Sequence, residues 1–338
     1  MTERESGSWE PGPWESGHGA GWGDRRRRPR PDPGRGRLTS SVVILGVAVL
    51  IAAAIVSVSL LTPRGQAAPA PPRPRPVRYL GVYEPQALRS YAGIEQFGRA
   101  VGRAPNIVSY YSAWMEPFQA AFAATAARHG ALPLVQINPT QVSLAAIADG
   151  SYDGYLSEFA AAVRGYHRPV IVSFGHEMNG YWYSWGHRHT PPAQFVAAWR
   201  HIVSTFRTLG AGNVIWLWNV NVINKRHDSI PDPGPWWPGN AYVTWVGIDG
   251  YYHKSNWKFA PLFGPTIAAV RRLTPAPILI AETGAAADTG QPAKIADLFA
   301  GVRAYDLLGF LWFNTVGNRD WRLDSPAAIA AFRRGAKS

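Results

Sequence analysis

Eight short apolar runs constrain what this chain can fold into. They begin at Tyr79 (YLGVY), Ile107 (IVSYY), Leu132 (LPLVQI), Val170 (VIVSF), Val214 (VIWLW), Trp245 (WVGI), Ile278 (ILIA) and Gly309 (GFLWF). Successive starts lie 28, 25, 38, 44, 31, 33 and 31 residues apart. Runs this short, rich in β-branched and aromatic side chains, read as buried strands. The intervals leave room for a loop, a helix and a second loop. Residues 118–129, 194–209 and 294–304 fill such intervals with apolar residues three and four apart, the spacing of one helix face. Eight units within residues 79–338 predict an α/β fold, a (β/α)8 TIM barrel, which typically takes about 250 residues. A doubly wound open sheet would normally place a glycine-rich phosphate turn after its first strand, and YLGVYEPQAL contains none.

The segment before Tyr79 follows other rules. Residues 1–78 hold 12 Lys/Arg and 6 Asp/Glu, and residues 79–338 hold 22 and 16, so the total of +12 divides equally between parts of very different length. Residues 1–41 are rich in Gly, Pro, Ser and Arg without periodicity, and are expected to be a disordered, Arg-rich cytoplasmic segment. Residues 42–61, VVILGVAVLIAAAIVSVSLL, carry neither charge nor proline. As a helix rising ~1.5 Å per residue they would span ~30 Å, one bilayer crossing. Arginines on the N-terminal flank place that end in the cytoplasm and the barrel outside the cell membrane, as a single-pass protein. Cleavage near Ala67, Ala68 and Ala70 would instead release a secreted domain, but the interleaved Pro69 and Pro71 suit a signal peptidase poorly. Residues 62–78, TPRGQAAPAPPRPRPVR, form a Pro-rich extended linker.

A sequence pI near 10.1 would by itself nominate a nucleic acid as partner. The density of basic charge is highest in the anchor flank and linker, where no aromatics interleave for base stacking, so no nucleic-acid partner is expected. The absence of cysteine excludes a disulfide scaffold, a thiolate nucleophile and a Cys-ligated metal site.

In such barrels the chemistry sits where strands end and the following loops begin. The fourth run ends in FGHEMNGYWYSWG and the seventh in IAETG, so each delivers one carboxylate to the same rim, Glu177 and Glu282. Glu177 lies among His176, Asn179 and the aromatics that follow, surroundings that desolvate a carboxyl and raise its pKa toward that of a general acid. Two facing carboxylates can cut a glycosidic bond, one donating a proton to the leaving oxygen and the other attacking or activating water. Twelve of the 15 Trp residues lie in residues 79–338, and Trp114, Trp182, Trp185, Trp218 and Trp312 follow or end strands, where an indole can pack on the C–H face of a sugar ring. Trp199, Trp216 and Trp245 are expected in the core. His187 and His189 have no third ligand nearby in sequence and read as a surface loop, so no metal is expected there. Cleavage by two carboxyls calls for no metal and no organic cofactor. No G-x-S-x-G elbow or P-loop occurs.

At these residues the sequence resembles glycoside hydrolase family 26, over about residues 79–330. GHEMNGYWYSWG resembles the family's fourth-strand motif, which implies Glu177 as acid/base. AETG resembles its nucleophile segment, which implies Glu282. GIDGYY resembles the sixth-strand segment whose Tyr contacts the nucleophile, which implies Tyr251, with Tyr252 as the other choice. WLWNVN and FLWFNT resemble the fifth and eighth strand ends, implying substrate contacts at Asn219 and Trp312 beside those expected at His176, Asn179, Trp182 and Trp185. The family implies a retaining hydrolase acting on a β-linked polysaccharide, chiefly β-1,4-mannan, with mixed-linkage β-glucan and xylan as other substrates. The catalytic domain is expected to be monomeric. Where mannan-cleaving members commonly carry a Trp-His pair after the third strand, this chain reads Val135-Gln136-Ile137-Asn138-Pro139. A catalytically silent carbohydrate-binding barrel is the reading from a different functional class.

Overall fold

The computed structural model describes residues 76–224, 229–254 and 256–337. The expected disordered segment and membrane span, and all but the last three residues of the linker, lie outside the described residues. Among the described residues no helix is long and apolar enough to cross a membrane.

Eight parallel strands close into a barrel in chain order: β1 (Tyr79–Tyr83), β2 (Ile107–Ala113), β3 (Leu132–Asn138), β4 (Val170–Phe174), β5 (Val214–Asn221), β6 (Trp245–Asp249), β7 (Ile278–Thr283) and β8 (Gly309–Phe313). Each strand starts at the residue where its apolar run starts. Closure is made by β8 on β1, with Tyr79 opposite Gly309 and Tyr83 opposite Phe313. The outer layer comprises α1 (Ala92–Val101), α2 (Ala120–Arg128), α3 (Leu144–Ala148), α4 (Asp153–Tyr166), α5 (Pro192–Thr208), α6 (Phe259–Leu273), α7 (Gln291–Ala304) and α8 (Pro326–Lys337). The strand–helix alternation departs from its expected form twice: two helices, α3 and α4, lie between β3 and β4, and the β5–β6 connection differs as well. Between β5 and β6 the described residues hold only two 3-10 turns, Gly234–Trp236 and Asn240–Tyr242. Pro231, Pro233, Pro235 and Pro238 lie within eight residues there, and each removes a helical N–H and clashes with a preceding carbonyl.

Alternation along the strands builds two apolar layers. Leu80, Val82, Val108 and Val172 face the helices, while Ile107, Leu134, Ile171, Leu217, Trp245, Leu279 and Leu311 fill the barrel interior. Trp199, Trp216 and Trp245 are all buried, as expected for core residues. Toward the C-terminal end of the strands the interior changes character. Continuing the inward parity gives Gln136 on β3, Ser173 on β4 and Asn219 on β5, each two residues further, and Asp249 on β6, four residues beyond Trp245, all buried. Asn219 fits because its neighbour on β6 is Gly247, where a Cβ would come within 2.4 Å of Asn219 Oδ1. The barrel thus has an apolar floor and a polar ceiling, and the two strand-end glutamates stand on that ceiling.

Candidate active site

Glu177 is positioned by a tight turn. Beyond β4 the backbone enters the left-handed region at Gly175 (φ 53°) and again at Glu177 (φ 55°), where a side chain normally costs about 1–2 kcal/mol. The turn is held from three sides. The Glu177 amide donates to Asn219 O at 2.8 Å, and the Gly180 amide donates to Glu177 O at 2.8 Å. Asn179 accepts from the Asn221 amide at 2.9 Å and donates to Asn221 O at 2.9 Å and to Pro231 O at 3.3 Å. Trp182 folds back over Gly180, where any Cβ would sit 2.3 Å from the indole. From there its N–H donates to Glu177 Oε2 at 2.8 Å, while Asn221 Nδ2 donates to Oε1 at 2.5 Å.

Glu282 leaves β7 where the strand pairing shifts register against both β6 and β8, so its side chain points into the barrel mouth. Two phenols hold it. Tyr251, just beyond β6, donates to Oε1, and Tyr111, on β2 across the mouth, donates to Oε2. Tyr251 leans on Trp321 with ring centroids 4.7 Å apart, and Tyr111 meets Tyr83 edge-on at 5.2 Å. A cleft of about 560 Å³ opens above both carboxyls and continues over the loops after β5 and β6, past Asn224, His253 and Trp257.

Burial raises the pKa of both glutamates, and their surroundings separate them. Glu177 is pushed up to about 8, first by loss of solvent and then by the Glu282 charge, against the opposing pull of Asn221 and Trp182. Glu282 is also raised by burial, but its phenol donors act in the opposite sense and favour the anion. The shared proton therefore sits on Glu177 and the charge on Glu282, a division that assigns acid and base roles in paired carboxylates. Asp249, in the polar ceiling beneath them, is raised well above its ordinary pKa by burial and then by the Glu282 and Glu177 charges, against the opposing pull of the Asn219 amide. Burial lowers His176 to about 3, so its imidazole is uncharged between Tyr111 (5.5 Å), Tyr183 (5.0 Å) and Trp185 (6.0 Å).

The residues singled out from sequence divide into those the cleft exposes and those it does not. Glu177, Glu282, Trp182 and Tyr251 line it. Tyr252, the other choice for the tyrosine, points away to Asp297 at 3.4 Å. His176 stands beneath the cleft among aromatic rings. Asn179 is fully buried and holds the turn, so it is out of reach of a ligand. Trp185 is buried with its N–H donating to His176 O at 2.9 Å. Asn219 lies in the ceiling, donating to Asp249 Oδ2 at 2.8 Å, and Asn221, two residues on and on the same face, reaches Glu177 instead. Trp312 points outward between Leu311 and Phe313, packs on Phe332 of α8 at 5.6 Å and donates to Trp321 O at 3.0 Å. The aromatic groups that β8 and its loop bring to the cleft are Phe313 and Trp321. Trp114 and Trp218 are likewise core residues. The HRH segment braces the fourth-strand loop: His189 contacts Tyr181 O at 2.8 Å, Arg188 lies over the Tyr181 ring, and His187 packs on Trp236. Tyr111 lies outside the motif segments, while Asn221 and Asp249 lie within WLWNVN and GIDGYY but were not the residues singled out there.

A (β/α)8 barrel with two buried carboxyls at the ends of β4 and β7 and an aromatic-lined cleft above them has the architecture of a glycosidase. Residues 145–287, which contain both glutamates, match the model of glycosyl hydrolase family 26. Over that segment the chain is a family 26 relative, as its motifs implied. Endoglucanase H of Acetivibrio thermocellus is 30% identical over 261 residues, covering 72% of this chain and 29% of that protein. The β-1,3-xylanase TXYA of a Vibrio species is 28% identical over 113 residues, covering 33% of this chain and 23% of that protein. This chain thus spans under a third of the length of either relative. Among solved structures, the catalytic domain of a Bacillus sp. JAMB-750 family 26 endo-β-1,4-mannanase superposes with a TM-score of 0.62 at 15% identity, covering 78% of this chain and 86% of that one. At that identity the likeness concerns the fold alone.

Proposed function

We propose that the barrel is a retaining β-glycoside hydrolase acting on a β-linked polysaccharide, with Glu282 as nucleophile and Glu177 as acid/base. The observation that carries this reading is the unequal pair: a carboxylate held between two phenol donors beside a carboxyl that keeps its proton to about pH 8. Glu282 attacks the anomeric carbon as the bond to the leaving oxygen breaks and the Glu177 proton passes to that oxygen. Glu177, now ionised, takes a proton from water, whose oxygen attacks the same carbon; the ester to Glu282 breaks and the sugar leaves with its original configuration. The scheme needs no metal or organic cofactor.

For the polymer backbone, β-1,4-mannan is the expectation carried by the family motifs. Mixed-linkage or β-1,4-glucan is a second reading, favoured by Gln136 and Asn138 at the end of β3 in place of a Trp-His pair and by the endoglucanase relative. Reducing-sugar release by the full-length chain from mannan, lichenan, glucan and xylan, run beside Glu282→Ala, tests both. Release from one polymer that the variant loses identifies the backbone. Binding without release from any polymer identifies a silent binding barrel. Residues 42–61 fit a single anchor that displays the barrel outside the cell membrane, a proposal that rests on their length, apolarity and Arg-rich flank.

A further inference from the structure

We infer that Tyr111 is a positioning residue for the nucleophile, which it holds ionised and oriented from the far side of the barrel; this rests on the reading of Glu282 as that nucleophile. The β2 run IVSYYSA places two tyrosines next to each other near the strand end. Strand alternation sends them to opposite faces. Tyr110 turns outward, 2% exposed, and packs edge-on against Phe122 of α2 at 5.3 Å. Tyr111 turns inward and donates its hydroxyl proton to Glu282 Oε2.

The placement matters because of which strands are involved. Tyr251 reaches Glu282 from just beyond β6, the immediate neighbour of β7, while Tyr111 reaches it from β2, separated from β7 by β8 and β1. A single donor would leave the carboxylate free to rotate about its terminal torsion. Donors on opposite oxygens, anchored on opposite sides of the mouth, fix both the rotation and the plane of the group. A carboxylate has about four lone-pair sites, so each oxygen keeps one for the anomeric carbon while accepting a phenol proton. Both bonds strengthen with negative charge on Glu282 and weaken when that charge is neutralised. They therefore favour the ionised nucleophile before attack and its release when water opens the ester. Burial and the Glu282 charge both push the Tyr111 phenol well above its ordinary pKa, so it remains a donor throughout the working pH range.

The test is the pH dependence of kcat/KM, using 2,4-dinitrophenyl β-cellobioside and β-mannobioside on the full-length chain and on Tyr111→Phe. A parallel arm labels the wild-type chain with the matching 2-deoxy-2-fluoro glycosides and locates the label by peptide mass spectrometry. A hydrogen bond to a charged group is worth about 1.5–3 kcal/mol, so its loss should move the acidic limb upward by about one to two pH units. The loss of kcat/KM below that limb should be about 10- to 100-fold. Placing 3,5-difluorotyrosine at position 111 keeps the ring and makes a stronger donor, and should move the same limb downward. These opposite shifts are not expected of a residue that only fills space. If Tyr111→Phe fails to fold, the difluorotyrosine chain decides alone, and a static or rising limb overturns the inference. Label on Glu282 with an unmoved limb in both variants overturns the role of Tyr111 and leaves the nucleophile standing. Label on another residue overturns the nucleophile assignment itself.

Discussion

Glu177 and Glu282 carry the proposed chemistry, and their titration should be visible in rate and in stability. Activity requires Glu177 protonated and Glu282 ionised, so kcat/KM should fall as pH rises through about 8 and fall again as pH drops through the raised pKa of Glu282. A bell with its basic limb near pH 5 would contradict this. Glu177→Gln keeps the shape of the side chain but removes the transferable proton, and should lower kcat on unactivated polymer about 10²- to 10⁴-fold. The same variant should be more stable at neutral pH. Because the folded-state pKa of Glu177 is raised, ionising it opposes folding increasingly between its ordinary value of 4.5 and about 8. The gain in Tm of Glu177→Gln over wild type, followed by calorimetry, should accordingly be small at pH 4.5 and larger at pH 8 by on the order of 2–4 °C for each kcal/mol recovered. A gain that is constant with pH would show that Glu177 is not forced to ionise in a buried place. At this scale the two glutamates were legible in the sequence because each is a carboxylate directly after an apolar run. Tyr111 was not, because a tyrosine pair near a strand end leaves open which ring turns inward, and its partner lies 171 residues away in sequence.

Strand alternation decided which neighbours of the glutamates face substrate. Asn219 and Asn221 share one face of β5, and only the barrel's tilt determines that the second, nearer the rim, is the one at Glu177. Motif resemblance gave Asn219, and the geometry gives Asn221. On β8, residues 311 and 313 face inward, so Trp312 between them faces α8. Trp312→Ala should therefore cost about 3–5 kcal/mol of stability, measured by denaturant unfolding. Trp312→Phe, a milder change, should lower Tm while leaving KM unchanged. A raised KM at unchanged Tm would return Trp312 to the substrate surface. Trp182→Phe should act differently, since it removes a donor to the ionised form of Glu177 and should move the basic limb of the pH profile upward without a comparable loss of Tm. The absence of a helix between β5 and β6 among the described residues follows from four clustered prolines, which were readable in the sequence but were outweighed there by the regular spacing of the runs.

Across the whole chain, the spacing of eight apolar runs was enough to define the barrel, because closure of eight βα units leaves few other arrangements for strands of that order. The +12 charge was less informative until divided, since half of it belongs to residues 1–78, which hold none of the site residues. If residues 42–61 anchor the protein, the full chain should pellet with membranes after carbonate washing, and external protease should release an active barrel from intact cells. Recovery in the soluble fraction would oppose the anchor. The central claim, a double displacement at Glu282, is tested most directly by proton NMR of the first sugar released from whichever polymer the chain cleaves. Retention predicts that the β-anomer appears first and the α-anomer only through later mutarotation. Initial appearance of the α-anomer would establish inversion and contradict a covalent intermediate on Glu282.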